Sequence, residues 1–413
     1  MPDPSSSRWY VPRVVGTSAL VLALTAPGQT AAVSAFVDPL IDGLELSRSV
    51  VSAAYLVGTL VGAGVMPLLG RAIDRYGARL IMVVVAVGFG AVLMGLSLVQ
   101  GLVGLTAGFV GIRMLGQGAL NLAATTAVAL YVHRRRGFAQ GITAAVGAAG
   151  ISLTPVLLEG LVAEHGFRTI WFAEGLVIWA TVIPLALLGL PRRIPPRDAQ
   201  REETGARRND RLPPVDWTLS EALRTPMFWV VASGVTMVST LGTAAAFHQI
   251  ALLGERGLSR TEAAANFLPQ TVAGLAATVL LGYLADRVSD RLLIIASRTV
   301  LAGALVAAGY VTPGVTAVGY GMLMGVAGNS FRLIEATAFP SSFGLAHIGA
   351  IRGVVHTLGV AGSAVGPLLL SLGHDWLGGY RPALLVLALL PVGTIAFAAF
   401  VKPPPPRPPQ RTA

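Results

Sequence analysis

Two rows of polar residues interrupt otherwise apolar stretches of this chain, and both could handle a negatively charged solute. Arg113, Gln117, Asn121 and Thr125 recur every four residues, and Asn329, Arg332 and Glu335 every three. Either spacing puts the side chains on one face of a helix. A guanidinium matches a carboxylate with two parallel N–H donors, so Arg332 is the candidate for holding an anionic substrate. Arg113, Gln117, Asn121 and Asn329 stand with it, and His248 and Gln249 join them from the end of another apolar run. Glu335 is the candidate proton carrier: ionised it pairs with Arg332, protonated it frees the guanidinium for substrate. Arg113 is the second candidate for proton coupling.

Plainer roles stay open for each. Arg332 and Glu335 could form a permanent ion pair, or Arg332 could reach toward the headgroups. Arg113 could hold backbone carbonyls and only fix helix packing, and His248 with Gln249 could be an interfacial polar cap. His356 is either a packing residue or a further cationic site. Arg298 is expected to reach the inner headgroups, and Asp38, Glu159 and Glu174 to be solvated at the outer ends of their runs.

Other chemistries find little support. The six histidines include no pair at i,i+4 with an acidic partner, so no metal site is expected. With no cysteine, thiolate ligands and redox chemistry are excluded. A phosphate-cradling G-x-x-x-x-G-K-[ST] motif is absent, which argues against ATP-driven work, and no cofactor or enzymatic activity is expected.

The elements that must position these residues follow from composition. The 413 residues are 54% hydrophobic and only 12% charged, against about 25% charged in a soluble domain. Apolar runs of spanning length lie at roughly 14–37, 49–69, 80–99, 102–131, 138–158 and 170–190. Six more lie at roughly 227–253, 262–284, 292–311, 314–338, 351–373 and 381–401. Lipid offers backbone groups no partner, so each run must be a helix. The expected fold is an all-α membrane protein of twelve transmembrane helices.

Charge gives the orientation. With the N-terminus inside, the inner segments hold 22 of the 30 basic residues and the outer segments 5; Arg113, Arg298 and Arg332 fall within runs. This bias puts both termini in the cytoplasm of a multi-pass cell-membrane protein. It also accounts for the net charge of +10 without a nucleic-acid partner. Arg8, Arg13, the run from Val14 and Val33-Ser34-Ala35 have the form of a signal peptide. Its removal would strand one of the helices, so a first span is expected instead.

An internal repeat organises the spans. Leu46-Ser47-Arg48 recurs as Leu258-Ser259-Arg260. Gly70, Asp74, Arg75 and Arg79 recur as Gly282, Asp286, Arg287 and Arg291. Gly137, Gly141, Gly147, Gly150 and Pro155 recur as Gly349, Gly353, Gly359, Gly362 and Pro367, every pair 212 residues apart. The chain is therefore expected to contain two six-helix bundles, 1–190 and 226–401. A cytoplasmic linker at 191–225 would join them, and a Pro-rich tail at 402–413 would follow.

These motifs resemble a known family. Gly70 to Arg79 is similar to the loop signature after the second helix of the major facilitator superfamily, and Gly282 to Arg291 to its copy after the eighth. Arg113-Met114-Leu115-Gly116-Gln117-Gly118 resembles its fourth-helix motif. The segment Tyr131 to Gly141, continuing to Gly150, resembles the fifth-helix signature of the monocarboxylate transporter and oxalate/formate antiporter branch. The resemblance implies a two-bundle major facilitator fold whose helices one, four, seven and ten line a central cavity. It also implies gating at the two loop motifs, against the plainer reading of solvated turns. Gly70 and Gly77 would permit tight turns and Asp74 would cap a helix. Arg332 corresponds to position 120, about 10 Å deeper along its helix than Arg113, which suits two stations on one anion path.

The expected function is secondary transport of a small, monocarboxylate-like organic anion by proton symport or anion exchange, by a monomer in the lipid bilayer. The alternative is a proton-driven exporter of drug-like compounds. That family's drug antiporters carry Gly-Pro-x-x-Gly-Gly in the fifth helix, where this chain has Gly150-Ile151-Ser152-Leu153-Thr154-Pro155. Two marks of the carboxylate branch are also missing: an acidic start to the first helix, and an arginine in mid-membrane on the eighth. A non-transporting sensor would need a cytoplasmic domain larger than the 35-residue linker.

Overall fold

The computed structural model describes residues 10–132, 136–191, 217–285, 287–288, 290–343 and 347–401. Among these the regular structure is helical, and every apolar run is recovered as a helical passage. The chain divides into two compact units. Unit 1 comprises Met1–Gly205 with Ala246–Ala251 and Arg260–Phe267; unit 2 comprises Ala206–Ala245, Leu252–Ser259 and Leu268–Ala413.

Unit 1 begins with a passage made in two pieces, α1 (Tyr10–Ala23) and α2 (Thr30–Leu44), joined through a 3₁₀ turn at Ala26–Gly28. Next comes α3 (Arg48–Tyr76), N-capped by Ser47, whose Oγ accepts from the Val50 N–H. Gly77, at φ +85°, both ends α3 and starts α4 (Ala78–Leu96). Gly70 lies inside α3, so of the two glycines expected to turn the chain only Gly77 does so. The fourth passage is α5 (Leu102–Ile112), a π-helical segment Arg113–Leu120, and α6 (Asn121–Tyr131). Residues 136–189 run as two helices, α7 (136–165) and α8 (167–189), on either side of Gly166 at φ +76°. Phe36 stacks on Trp171 at 4.8 Å, joining α2 to α8.

Unit 2 holds the one-turn helix α9 (Leu219–Ala222) and most of α10 (Pro226–Gly254). It continues with most of α12 (Phe267–Ala285), α13 (Asp290–Ala308), α14 (Val315–Phe343), α15 (Ile348–Leu377), α16 (Tyr380–Leu387) and α17 (Leu389–Phe400). The short helix α11 (Arg260–Ala265) belongs to unit 1. The described end of the expected linker is packed. Thr218 and Glu221 form a reciprocal capping box, and Trp217 joins the core of Phe228, Ile294, Phe343 and Val355. The Trp217 N–H also donates to the Phe343 carbonyl at 3.0 Å.

Arg298 departs from expectation. Instead of reaching the headgroups it is 0% exposed, donating to the carbonyls of Thr394 and Val230 and to Ser233 Oγ. It ties α13 to α17 and α10, because three oxygens of those helices lie within reach of its guanidinium.

The repeat has a packing counterpart. In unit 1, Gly147 and Gly150 on α7 lie against Leu22 and Ala23 of α1; in unit 2, Gly359 and Gly362 on α15 lie against Ser239 and Thr240 of α10. Each pair lets two backbones approach where a side chain would hold them apart, as close-packed membrane helices require.

Candidate functional site

The site of unit 1 is built from two irregular backbone segments. The first passage breaks after Ala23 because Pro27 brings no N–H, and Gln29 is extended at φ −88°, ψ 148°. The freed groups find local partners. Thr25 Oγ1 donates to the Leu22 carbonyl at 2.7 Å, Gln29 Nε2 donates to Thr25 Oγ1 at 3.0 Å, and the Gly28 N–H donates to the Thr25 carbonyl at 2.9 Å. Against this break lies the π segment Arg113–Leu120. Both are backbone forms that membrane proteins reserve for functional positions.

Contact between the two segments requires glycine. A Cβ on Gly28 would stand 2.5 Å from the Ile112 carbonyl oxygen, 2.8 Å from the Gln117 nitrogen and 2.9 Å from Gly116 Cα. All three are backbone atoms and cannot swing aside. Gly28→Ala is therefore expected to push the segments apart at a cost of about 1–3 kcal/mol. A lower melting temperature of the purified protein, with a matching loss of transport, is the expected result; unchanged values for both would refute this packing.

Arg113 sits where the segments meet and is 5% exposed. Its Nε donates to Thr59 Oγ1 at 3.1 Å, and its Nη1 donates to the Gly28 carbonyl at 3.2 Å and Thr30 Oγ1 at 3.4 Å. Its guanidinium carbon lies 4.7 Å from the centre of the Tyr55 ring, a cation–π contact. Tyr55 is fixed in turn by Thr30, hydroxyl to hydroxyl at 2.6 Å, and by Phe247 with ring centres 4.6 Å apart. Among the described residues no carboxylate pairs with Arg113 and its Nη2 makes no hydrogen bond. Beside it, Gln117 carries a buried Oε1 with no partner. An amide can turn to present either N–H or oxygen, so a half-satisfied guanidinium and a free amide share one place.

The remaining candidates fall as follows. The π segment interrupts the regular four-residue stripe expected on the fourth passage, and Thr125 Oγ1 is used by the Asn121 carbonyl of its own helix. His248 and Gln249 are each 1% exposed in unit 1; Gln249 Nε2 donates to the Ala263 carbonyl at 3.1 Å, and His248 lies edge-on to Phe247. Asn329, in unit 2, donates to the Gly325 carbonyl of its own helix at 3.2 Å. Arg332 and Glu335 belong to α14, but their side chains lie outside the described residues, as do those of Asp74, Gly282 and Asp286. Arg75 lies over the Tyr76 ring at 5.3 Å. Arg287, Arg291 and His356 are exposed.

None of the three acidic residues expected to be solvated is so: two meet arginines and the third, Glu174, turns an oxygen inward. Asp38 lies 2.9 Å from Arg48 Nη2 and 2.9 Å from Arg260 Nη1, and Glu159, only 4% exposed, takes the Arg260 Nε. The Asp38–Arg48 pair is within ion-pair distance, yet the same Oδ1 lacks hydrogen-bond geometry. Glu174 has a buried Oε2 without a partner. Arg48 and Arg260 are copies under the 212-residue repeat, and both converge on Asp38. The repeat marked the cations; it carried no signal for the carboxylates. Thr30, Tyr55 and Thr59 were missed likewise, since one hydroxyl in an apolar run is unremarkable until a cation faces it.

The profile of the Major Facilitator Superfamily matches residues 19–264. The oxalate:formate antiporter of Oxalobacter formigenes is 25% identical over 199 residues, which cover 48% of this chain and 44% of that protein. The chain thus spans less than half the length of this curated relative. Two crystal structures of a bacterial homolog of the human lysosomal transporter Spinster, inward-facing, unoccupied and occupied, superpose with TM-score 0.71 at 16% and 17% identity. They cover 95% of this chain and 97% of theirs, a likeness of fold.

Proposed function

The chain belongs to the major facilitator superfamily of membrane transporters, and on that premise we propose that it moves a small, monocarboxylate-like organic anion across the cell membrane by alternating access, through anion exchange or proton symport. The observation that carries this reading is Arg113. A buried cation in an apolar span costs about 2.5–3.5 kcal/mol on insertion scales. Here it is held by a carbonyl, two hydroxyls and an aromatic face, all of which leave its positive charge uncancelled. A bound carboxylate would neutralise it and take up the Nη2 donors, with the Gln117 amide alongside. The partial likeness to an oxalate:formate antiporter supports the same solute class.

In this proposal both termini are cytoplasmic and the protein works as a monomer. Arg332 is the second anion station and Glu335 the proton carrier, and His248, Gln249, Asn121 and Asn329 are further substrate-binding residues. The two copies of the loop motif, Gly70 to Arg79 and Gly282 to Arg291, act as gates. Energy enters as the difference in anion affinity between inward and outward states.

Proteoliposomes loaded with one carboxylate and offered another labelled one (oxalate, formate, lactate, pyruvate) test the solute class. Exchange of at least one is expected. Efflux of lipophilic cations with no carboxylate exchange would instead establish a drug exporter. Glu335→Gln is expected to remove the pH dependence of net transport while sparing exchange; persistent proton coupling would remove Glu335 from the mechanism.

A further inference from the structure

A cavity of about 240 Å³ opens at one end of unit 1, lined by Tyr76, Gly77, Arg79, Leu80, Tyr131 and Leu187, with Val83 and Pro191 completing the wall. It lies where four helices terminate together: α3 at Tyr76, α4 at Ala78, α6 at Tyr131 and α8 at residue 189. This is the arginine-rich side of the chain, carrying Arg71, Arg75 and Arg79.

From this placement we infer that the cavity holds the phosphate headgroup of an anionic phospholipid of the inner leaflet, with its acyl chains lying along Leu80, Val83 and Leu187. Three kinds of donor converge on it. Arg79 makes no hydrogen bond or ion pair among the described residues. Helix α4 starts at the cavity with Gly77 as its N-cap, and no described side chain caps it. Its first N–H groups, pointing out of the helix end, therefore favour an anion. Tyr131 is 2% exposed and lines the cavity, and its hydroxyl makes no hydrogen bond among the described residues, so it is left to donate to a ligand there.

The other walls select a lipid over a free anion. Leu80 is 51% exposed, Leu187 43% and Tyr76 52%. In a membrane-spanning unit such outward apolar surface at a helix end faces acyl chains, while the aromatic ring sits at headgroup level. Basic pockets at the cytoplasmic ends of transmembrane helices recognise anionic headgroups on these terms. The site is separate from the Arg113 site, and its test reads lipid, not transport.

The full-length protein, purified in detergent and incubated with phosphatidylglycerol or phosphatidylcholine, is examined by native mass spectrometry. Retention of phosphatidylglycerol well above phosphatidylcholine is expected. Arg79→Ala should lower the retained phosphatidylglycerol roughly fivefold, the loss of one cation near a phosphate. Val83→Trp, which fills the cavity without touching charge, should abolish retention while the protein still elutes as a single species. Millimolar inorganic phosphate should leave the lipid bound. Equal retention of both lipids, or retention unaltered in both folded variants, overturns the proposal. Displacement by inorganic phosphate also overturns it, in favour of a free-anion site.

Discussion

Arg113→Gln in proteoliposomes is expected to exchange carboxylates at no more than about 1% of the wild-type rate, a loss of roughly 2.7 kcal/mol in transition-state terms. The substitution removes the only described cation at the junction of the broken first passage and the π segment, while leaving a polar group of moderate size. Arg113→Lys keeps the charge but cannot donate together to Thr59 on one side and to Gly28 and Thr30 on the other, as Nε and Nη1 do. It too should transport poorly, by tenfold or more, because a point charge does not replace a fork. The purely structural role predicts something else: activity lost only in proportion to folded protein. The two separate on a melting curve taken with and without substrate. The wild type should be stabilised by the transported anion and the folded Arg113→Gln protein should not. Equal stabilisation of both would remove Arg113 from the binding site.

Arg260→Met is expected to destabilise unit 1 by about 1–3 kcal/mol. Arg260 is the cation facing Glu159, which is 4% exposed, and it shares Asp38 with Arg48. Removing it leaves a buried carboxylate uncompensated, which in a fully buried pair costs about 3–5 kcal/mol. The lower figure allows for the 44% exposure of the Arg260 side chain and the screening that follows. The double variant Arg260→Met with Glu159→Gln should recover most of the loss, since no unpaired charge remains. Thermal or denaturant unfolding of the four proteins completes the cycle. Additive effects of the two single changes would show that the pair is not coupled. Because Arg260 and Glu159 lie 101 residues apart, this contact fastens the short helix α11 to α7 within unit 1.

Much of the site's outline was legible beforehand, and its inner detail was not. Arg113 was conspicuous because a lone guanidinium in an apolar run is expensive. What it bonds to was invisible. Thr30, Tyr55 and Thr59 lie on other passages, and whether they face Arg113 depends on how far each helix is rotated. The break at Ala26–Gly28 was hidden inside a run long enough to be one span, although Pro27-Gly28 and the polar Gln29-Thr30 beside it were in plain view. The π segment left no trace in the four-residue spacing, because an i→i+5 bond replaces i→i+4 where Gly28 presses against Gly116. Arg298 failed for a related reason: its three acceptor oxygens come from residues 230, 233 and 394.

By itself the order of residues determined that the chain crosses a membrane many times, as helices, in two related halves with arginines concentrated in alternate loops. Lipid leaves the backbone one solution per apolar run, and charge and repetition are countable along a line. Tertiary structure alone decided which polar groups meet: that Arg113 finds a carbonyl and two hydroxyls but no carboxylate among the described residues, and that Asp38 and Glu159 find arginines instead of water. Those pairings depend on the rotation and depth of helices far apart in sequence. Side-chain packing fixes both, and no local pattern records them.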